Sequence, residues 1–355
     1  MKNLIYHELD LIKLLICATM CTLFLSSIKA IDVYVNLKDQ YIYNVIDYPL
    51  LTQNFVRVLN SEKITMVIMI ALMVCIQFKE VKQDRVSEFV LSLPFSSKDI
   101  LWAKIIAGLS MILLYSIGIG IVFVIVAIAS TGIMENISML LPSGHLFAET
   151  HTTFSIIVLT IRGMLELILI YSVLVMGQFL FRRAGMAVIF TLVGALSIPY
   201  MSTFITTTDF FSETFNEFMW ELGYRVMDVY FLGSTREFVT YSINDIPFYY
   251  VMYPQKFGWD TIASISTIVL FFSMAMLLVE KVGFNRIKYF TISKIADKVL
   301  VVYFGICCGI VQYYYVVLIS AKRFNFIDTV AALVWTGLGM MIMNKIIKRS
   351  LEGEV

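Results

Sequence analysis

Three groups of residues in this chain have the types and spacing to do chemistry. His145, Glu149 and His151 sit close together and carry metal-ligating side chains, yet their spacings of four and two match no zinc signature, so no metal site is expected there. Arg162 and Glu166 lie four apart inside an apolar run and so share one helix face. A lone charge at mid-bilayer costs roughly 2.5–3.5 kcal/mol on insertion scales, so these two are expected to pair and to face the protein interior. They either line a translocation route or dimer seam, or satisfy each other between packed helices. The third group is a charged, proline-broken stretch, Glu88 to Lys104, between two strongly apolar segments. Catalytic signatures are missing from the sequence: it has no Gly-x-Ser-x-Gly, no His-Glu-x-x-His and no paired intramembrane acids. No glycine is followed by the Lys-Ser or Lys-Thr of a phosphate-cradling loop, so the chain has no visible means to bind ATP. No catalytic residue, metal or cofactor of its own is expected.

The elements that must position these residues are helices in a membrane. Of the 355 residues, 59% are hydrophobic and 15% charged, and the mean hydropathy is +0.83, far from the balance of soluble domains. A net charge of +1 excludes nucleic acid as a partner, because a phosphate-binding surface needs a clustered positive excess. All five cysteines lie in apolar runs, where thiols behave as small hydrophobes. The first apolar run lacks a small-residue cleavage site and reads as a retained anchor.

A helix needs roughly 20 apolar residues to cross the hydrocarbon. Eight segments qualify: approximately 11–32, 59–78, 101–130, 154–181, 184–206, 259–280, 298–320 and 326–347. The second has a short purely apolar part, Ile64 to Phe78, and borrows Val56 and Leu59 to reach length. Lys and Arg concentrate after the second, fourth, sixth and eighth segments, whereas 131–153 has neither, so both termini are expected in the cytoplasm of a multi-pass cell-membrane protein. The fold class expected is all-α, with about eight transmembrane helices in a single domain covering 1–355. The long outer loop between spans five and six carries Phe211, Phe215, Phe218, Leu222 and Val229 near helical spacing, with Glu213, Glu217, Glu221 and Asp228 on other faces. An amphipathic helix follows, which either packs on its own bundle or gates a substrate. Tyr313, Tyr314 and Tyr315 read as an interfacial belt.

In the interrupted stretch, Val86, Phe89, Val90 and Leu93 have the spacing of a short amphipathic helix, which Pro94 ends. Ser96, three residues before Asp99, can cap a new helix that enters the third span through Trp102 and Lys104. By chemistry alone this is a re-entry turn or a docking helix.

A Glu, then Leu-Ser-Leu-Pro, a short polar gap, Lys-Asp-Ile and a Lys at the start of the next span resembles the membrane-spanning permeases of the type-2 ABC exporter family; here these are Glu88, Leu91 to Pro94, Lys98 to Ile100, and Lys104. Residues 280–290 resemble a subfamily with two further helices, linked to peptide-antibiotic export or immunity. The resemblance implies a six-helix permease core over 1–285, with two additional helices over 286–355. It implies that Arg85, Glu88, Leu91, Leu93, Pro94, Lys98 and Asp99 form a cytoplasmic coupling helix seated on separate ABC ATPase subunits, which hold the ATP-Mg. It also implies a second permease copy or a paralogue beside this chain in the bilayer, and export of an amphipathic peptide or lipid-like substrate. A polytopic intramembrane enzyme or an ion-gradient-driven transporter is the alternative.

Overall fold

A computed structural model of the chain describes residues 2–43, 48–82, 94–140, 152–207, 212–230, 237–243, 246–252, 257–281, 283–284, 289–319 and 326–352. Its helices are α1 (Lys2–Leu11), α2 (Lys13–Tyr43), α3 (Tyr48–Lys82), α4 (Ser97–Leu140), α5 (Thr153–Gly177), α6 (Ala184–Thr207), α7 (Glu213–Tyr230), α8 (Trp259–Lys281), α9 (Lys294–Tyr314) and α10 (Phe326–Glu352). A π turn, Tyr315–Ile319, continues α9. Eight of these are long and apolar enough to cross a membrane, within Lys13–Asn36, Glu62–Lys82, Ser97–Ile133, Thr153–Gly177, Ala184–Thr207, Thr261–Lys281, Lys294–Val317 and Phe326–Leu351. They coincide, span for span, with the segments expected from hydropathy. The chain is an all-helical, multi-span membrane protein.

Two differences from expectation have physical reasons. The second span takes its length from its far end, reaching Lys82 rather than starting at Leu59. Polar residues can lie inside it because they are satisfied there: Gln77 is hydrogen-bonded and Lys82 donates to backbone carbonyls. The loop between spans five and six contains the amphipathic α7, as its spacing predicts, and also an antiparallel hairpin, β1 (Glu237–Ile243) and β2 (Ile246–Met252), with register Ile243 opposite Ile246 and Glu237 opposite Met252. Its strands are rich in β-branched and aromatic residues, which suit a pleated surface.

The chain divides into two compact units. The first comprises 1–77, 98–173 and 228–274, hence α1, α2, most of α3 to α5, the hairpin and most of α8. Its core runs along Met66, Ile70 and Met73 of α3, Leu101, Ile105 and Ile112 of α4, and Leu159 and Leu169 of α5, all buried.

The second unit comprises 78–97, 174–227 and 275–355. Phe181, Phe190 and Phe290 meet with centroids 5.5–5.8 Å apart, over Val301, Met343 and Ile347. Gly283 adopts φ 69°, a left-handed geometry that favours glycine, and turns the chain after α8 so that Phe284 packs on Phe78 and Phe179. The start of α9 is fixed by Ser293, which accepts from the Ala296 amide, and by Asp297, which accepts from the amide and hydroxyl of Thr291 at 2.7 Å.

Helices α9 and α10 close on one another through Gly305 and Gly309. A Cβ at either would meet backbone or side-chain atoms of Ala332, Thr336 or Met340, the small-residue approach that lets membrane helices pack without a hydrophobic drive. Tyrosines tie α9 to α6. Tyr313 donates to the Thr207 carbonyl at 2.8 Å, Tyr314 to the Tyr200 carbonyl at 2.6 Å, Tyr200 to the Cys307 carbonyl at 3.0 Å, and Tyr303 pairs with Ser197 at 2.6 Å. Tyr313 and Tyr314, expected in an interfacial belt, thus also hold α9 against α6, and Tyr315 alone of the three is exposed. Period and hydropathy do not register where a hydroxyl finds its acceptor.

Candidate functional site

The residues that could do chemistry converge in the first unit. Lys104 lies two turns into α4 and is 1% exposed, so its ammonium must be compensated locally. It donates to Glu8 Oε1 of α1 at 2.6 Å and to the Gln77 carbonyl of α3 at 2.5 Å. Gln77 answers by donating its side-chain amide to the Lys104 carbonyl at 3.0 Å. That same carbonyl accepts from the hydroxyl of Tyr171 on α5 at 2.9 Å. All four residues are buried. The Tyr171 ring lies over Gly108, one turn beyond Lys104, and meets Phe272 of α8 edge-on at 6.0 Å. Four helices thus meet at one polar node, with a ring of α8 packed against it.

Local sequence explains each member. On α1, Leu4 and Glu8 are the buried residues, four apart on one face, so the carboxylate arrives with an apolar anchor. Lys104 follows a first turn that begins beside Ser96, contains Asp99 and turns inward through Ile100 and Leu101. Acid in a first turn complements the helix dipole there.

Further along the same spans is a second set of charges. Glu62 and Lys63 are neighbours on α3 and point to different partners: Glu62 accepts from Lys29 of α2, and Lys63 donates to Glu166 of α5. Lys63 and Glu166 are both buried. Arg162 is also buried, one turn before Glu166 on the same helix. Glu166 thus has a lysine of another helix as partner, with Arg162, the partner expected from the spacing, one turn away on its own helix. Spans α2, α3 and α5 are tied by charge where lipid would otherwise leave each ion uncompensated.

In the second unit, Lys82, the last residue of α3, donates to the carbonyls of Gln178 and Phe181, the latter at 2.7 Å, just beyond α5. A cation at the C-terminal end of a helix satisfies its orphan carbonyls.

The structure places Pro94, Lys98 and Asp99 at the entry to α4, Pro94 and Lys98 exposed and Asp99 half-buried. Arg85, Glu88, Leu91 and Leu93, together with His145, Glu149 and His151, lie outside the described residues. No group of three metal-ligating side chains occurs among the described residues.

The chain matches no known family model, no curated protein and no solved structure. What the fold carries without a relative is the helical, eight-span membrane architecture and these buried charges. Lys104 is the one node residue that the sequence singled out, as the Lys opening the third span. Glu8, Gln77, Tyr171 and Lys63 were missed. A lysine at position 63 beside an apolar run is a signal that could have found its pair, whereas Glu8 lies in a polar segment that gives none.

Proposed function

We propose that this chain is the membrane-spanning permease subunit of an ATP-driven exporter, working beside a second permease copy or paralogue and powered by separate ABC-type ATPase subunits. The observation that carries the reading is the node at Lys104. A loop that receives force from a partner needs its exit helix held, and the helix that leaves residues 83–98 is held by a buried ion pair and reciprocal hydrogen bonds to α1, α3 and α5. The lack of any phosphate-cradling loop in the sequence requires energy from outside. The eight spans supply the membrane path.

In this account the stretch from Arg85 to Asp99 lies on the cytoplasmic side and seats in the ATPase. Nucleotide closure displaces it, and α4 moves with α1, α3 and α5 because the node does not let them slip independently. ATP must bind one arrangement better than the other for this to shift the population. An amphipathic peptide or lipid-like molecule is the cargo that the resemblance to exporter permeases implies.

The Lys63–Glu166 pair favours a second reading, an ion-gradient-driven transporter, since intramembrane ionisable groups mark proton or ion paths. Purification of the tagged chain from its native membrane, with assay of any copurifying ABC-type ATPase, separates the two. The exporter reading predicts a stable complex whose ATP hydrolysis rises with substrate. Transport that persists without any ATPase and collapses with an ionophore would support the second.

A further inference from the structure

A groove of about 350 Å³ runs between α4 and α5 in the first unit. It exists because α4 presents small residues there. Ser116 and Gly120 are four apart on one face, and at Gly120 the helices come so close that a Cβ would stand 2.8 Å from the Thr160 methyl. Val124, Ile161 and Met164 complete apolar walls.

Among the residues lining the groove, Ser116 stands apart. It is 4% exposed, and its hydroxyl oxygen is buried with no hydrogen-bond partner. Among the described residues Thr261, at the start of α8, is the other span hydroxyl of this unit without a partner, whereas Thr19, Ser26, Ser110, Ser130 and Thr160 each donate to a carbonyl three or four residues back in their own helix. An unmade hydrogen bond at a buried donor is costly, so an unspent hydroxyl in a groove points to a ligand atom that accepts from it. Water is poorly held there, because a buried water makes about three hydrogen bonds and this groove offers only the hydroxyls of Ser116 and Thr160, the latter already donating to the Ile156 carbonyl. Apolar cavities of roughly 150 Å³ stay dry and take up small hydrocarbons. The rim of α4 is the exposed row Ile117, Ile121 and Ile125, at 56%, 57% and 60%, so the groove opens sideways onto the lipid-facing surface.

We propose that the α4–α5 groove is a binding site for one lipid-like amphiphile, whose acyl chain lies along the apolar walls and whose ester carbonyl accepts a hydrogen bond from Ser116 Oγ. The inference rests on the helices crossing a bilayer and not on the ATPase, so the two can fail separately. If the exporter reading holds as well, the groove is a lateral entry for a lipid-like cargo.

The test uses the full-length protein, stripped of lipid in detergent, and a monoacylglycerol with a diazirine in its acyl chain. Cross-links should concentrate on residues 116–125 and 157–164. Ser116→Ala should weaken binding about fivefold, the worth of one hydrogen bond, while leaving the ligand-free protein no less stable, because the orphan hydroxyl is gone. Ser116→Thr, which keeps a hydroxyl, should bind like the parent. Ile161→Trp, which fills the groove, should abolish the local cross-link, and the Ser116 pair decides should that variant fail to fold. Unchanged affinity in Ser116→Ala overturns the proposal, as do cross-links spread evenly over all spans. So does ready disulfide formation between two copies carrying Ile121→Cys in a background without the native cysteines, since a second copy would then cover the groove.

Discussion

Gly108 and Tyr171 share one place in the fold: a Cβ on Gly108 would fall on the hydroxyl end of the Tyr171 ring. Glycine at this point of α4 is therefore what lets α5 approach close enough for Tyr171 to reach the Lys104 carbonyl. Gly108→Ala should destabilise the protein by about 1–3 kcal/mol, as overpacking does. Combined with Tyr171→Leu, which vacates the space, the loss should fall short of the sum of the two single changes by more than about 0.5 kcal/mol. Thermal unfolding in detergent measures this. Simple additivity would mean that the two side chains do not compete for the same volume.

The buried Glu8–Lys104 pair makes an asymmetric prediction. Lys104→Met strands a carboxylate in low dielectric and should cost about 3–5 kcal/mol, whereas Glu8→Gln combined with Lys104→Met removes both charges and should recover most of that. The same measurement on the double variant checks it: a double as unstable as Lys104→Met alone removes the ion pair from the account.

Lys63 and Glu166 form the corresponding pair further along the spans. Lys63→Ala alone should lower the yield of folded protein more than Lys63→Ala with Glu166→Ala. Double-mutant coupling above about 0.5 kcal/mol is expected. Zero coupling would show that the contact does not contribute to holding α3 against α5.

Orientation has its own test. From the Lys/Arg asymmetry, the segment around α7 is expected outside and residues 80–98 in the cytoplasm. On intact cells an impermeant thiol reagent should label Ser212→Cys and spare Ser87→Cys, each in a background without native cysteines. Strong labelling at position 87 would invert the topology.

Hydropathy alone located all eight spans, because a bilayer demands long apolar helices and little else does. Period also located α7, whose phenylalanines repeat at helical spacing. The hairpin in the same loop escaped because the acidic helix beside it dominated the pattern, although the β-branched and aromatic residues of 237–252 were there to be read. Nor did spacing reveal the node. Glu8 is 96 residues from Lys104, and Gln77 and Tyr171 are 94 apart. Partners that distant in the chain are chosen by how helices pack, which local pattern does not encode. Lys104 was visible as a charge inside an apolar run, and such a charge announces that it has a partner without saying which. Similarly, Gly305 and Gly309 state that α9 packs closely on something, and only the fold shows that it is α10.

The central claim, that residues 84–98 transmit force from an ATPase, meets its most direct test in Glu88→Lys. An exposed residue in a mere re-entry turn tolerates such a change within about 0.5 kcal/mol. At a docked interface a reversed charge meets a surface complementary to the original one and costs several kcal/mol. The measurement is ATPase copurification and substrate-stimulated ATP hydrolysis of the purified complex, made at matched membrane levels of parent and variant. The account predicts normal insertion and amount, with copurification or stimulation sharply reduced. A well-expressed Glu88→Lys protein that binds the ATPase and stimulates it like the parent would contradict the coupling role, and with it the exporter reading.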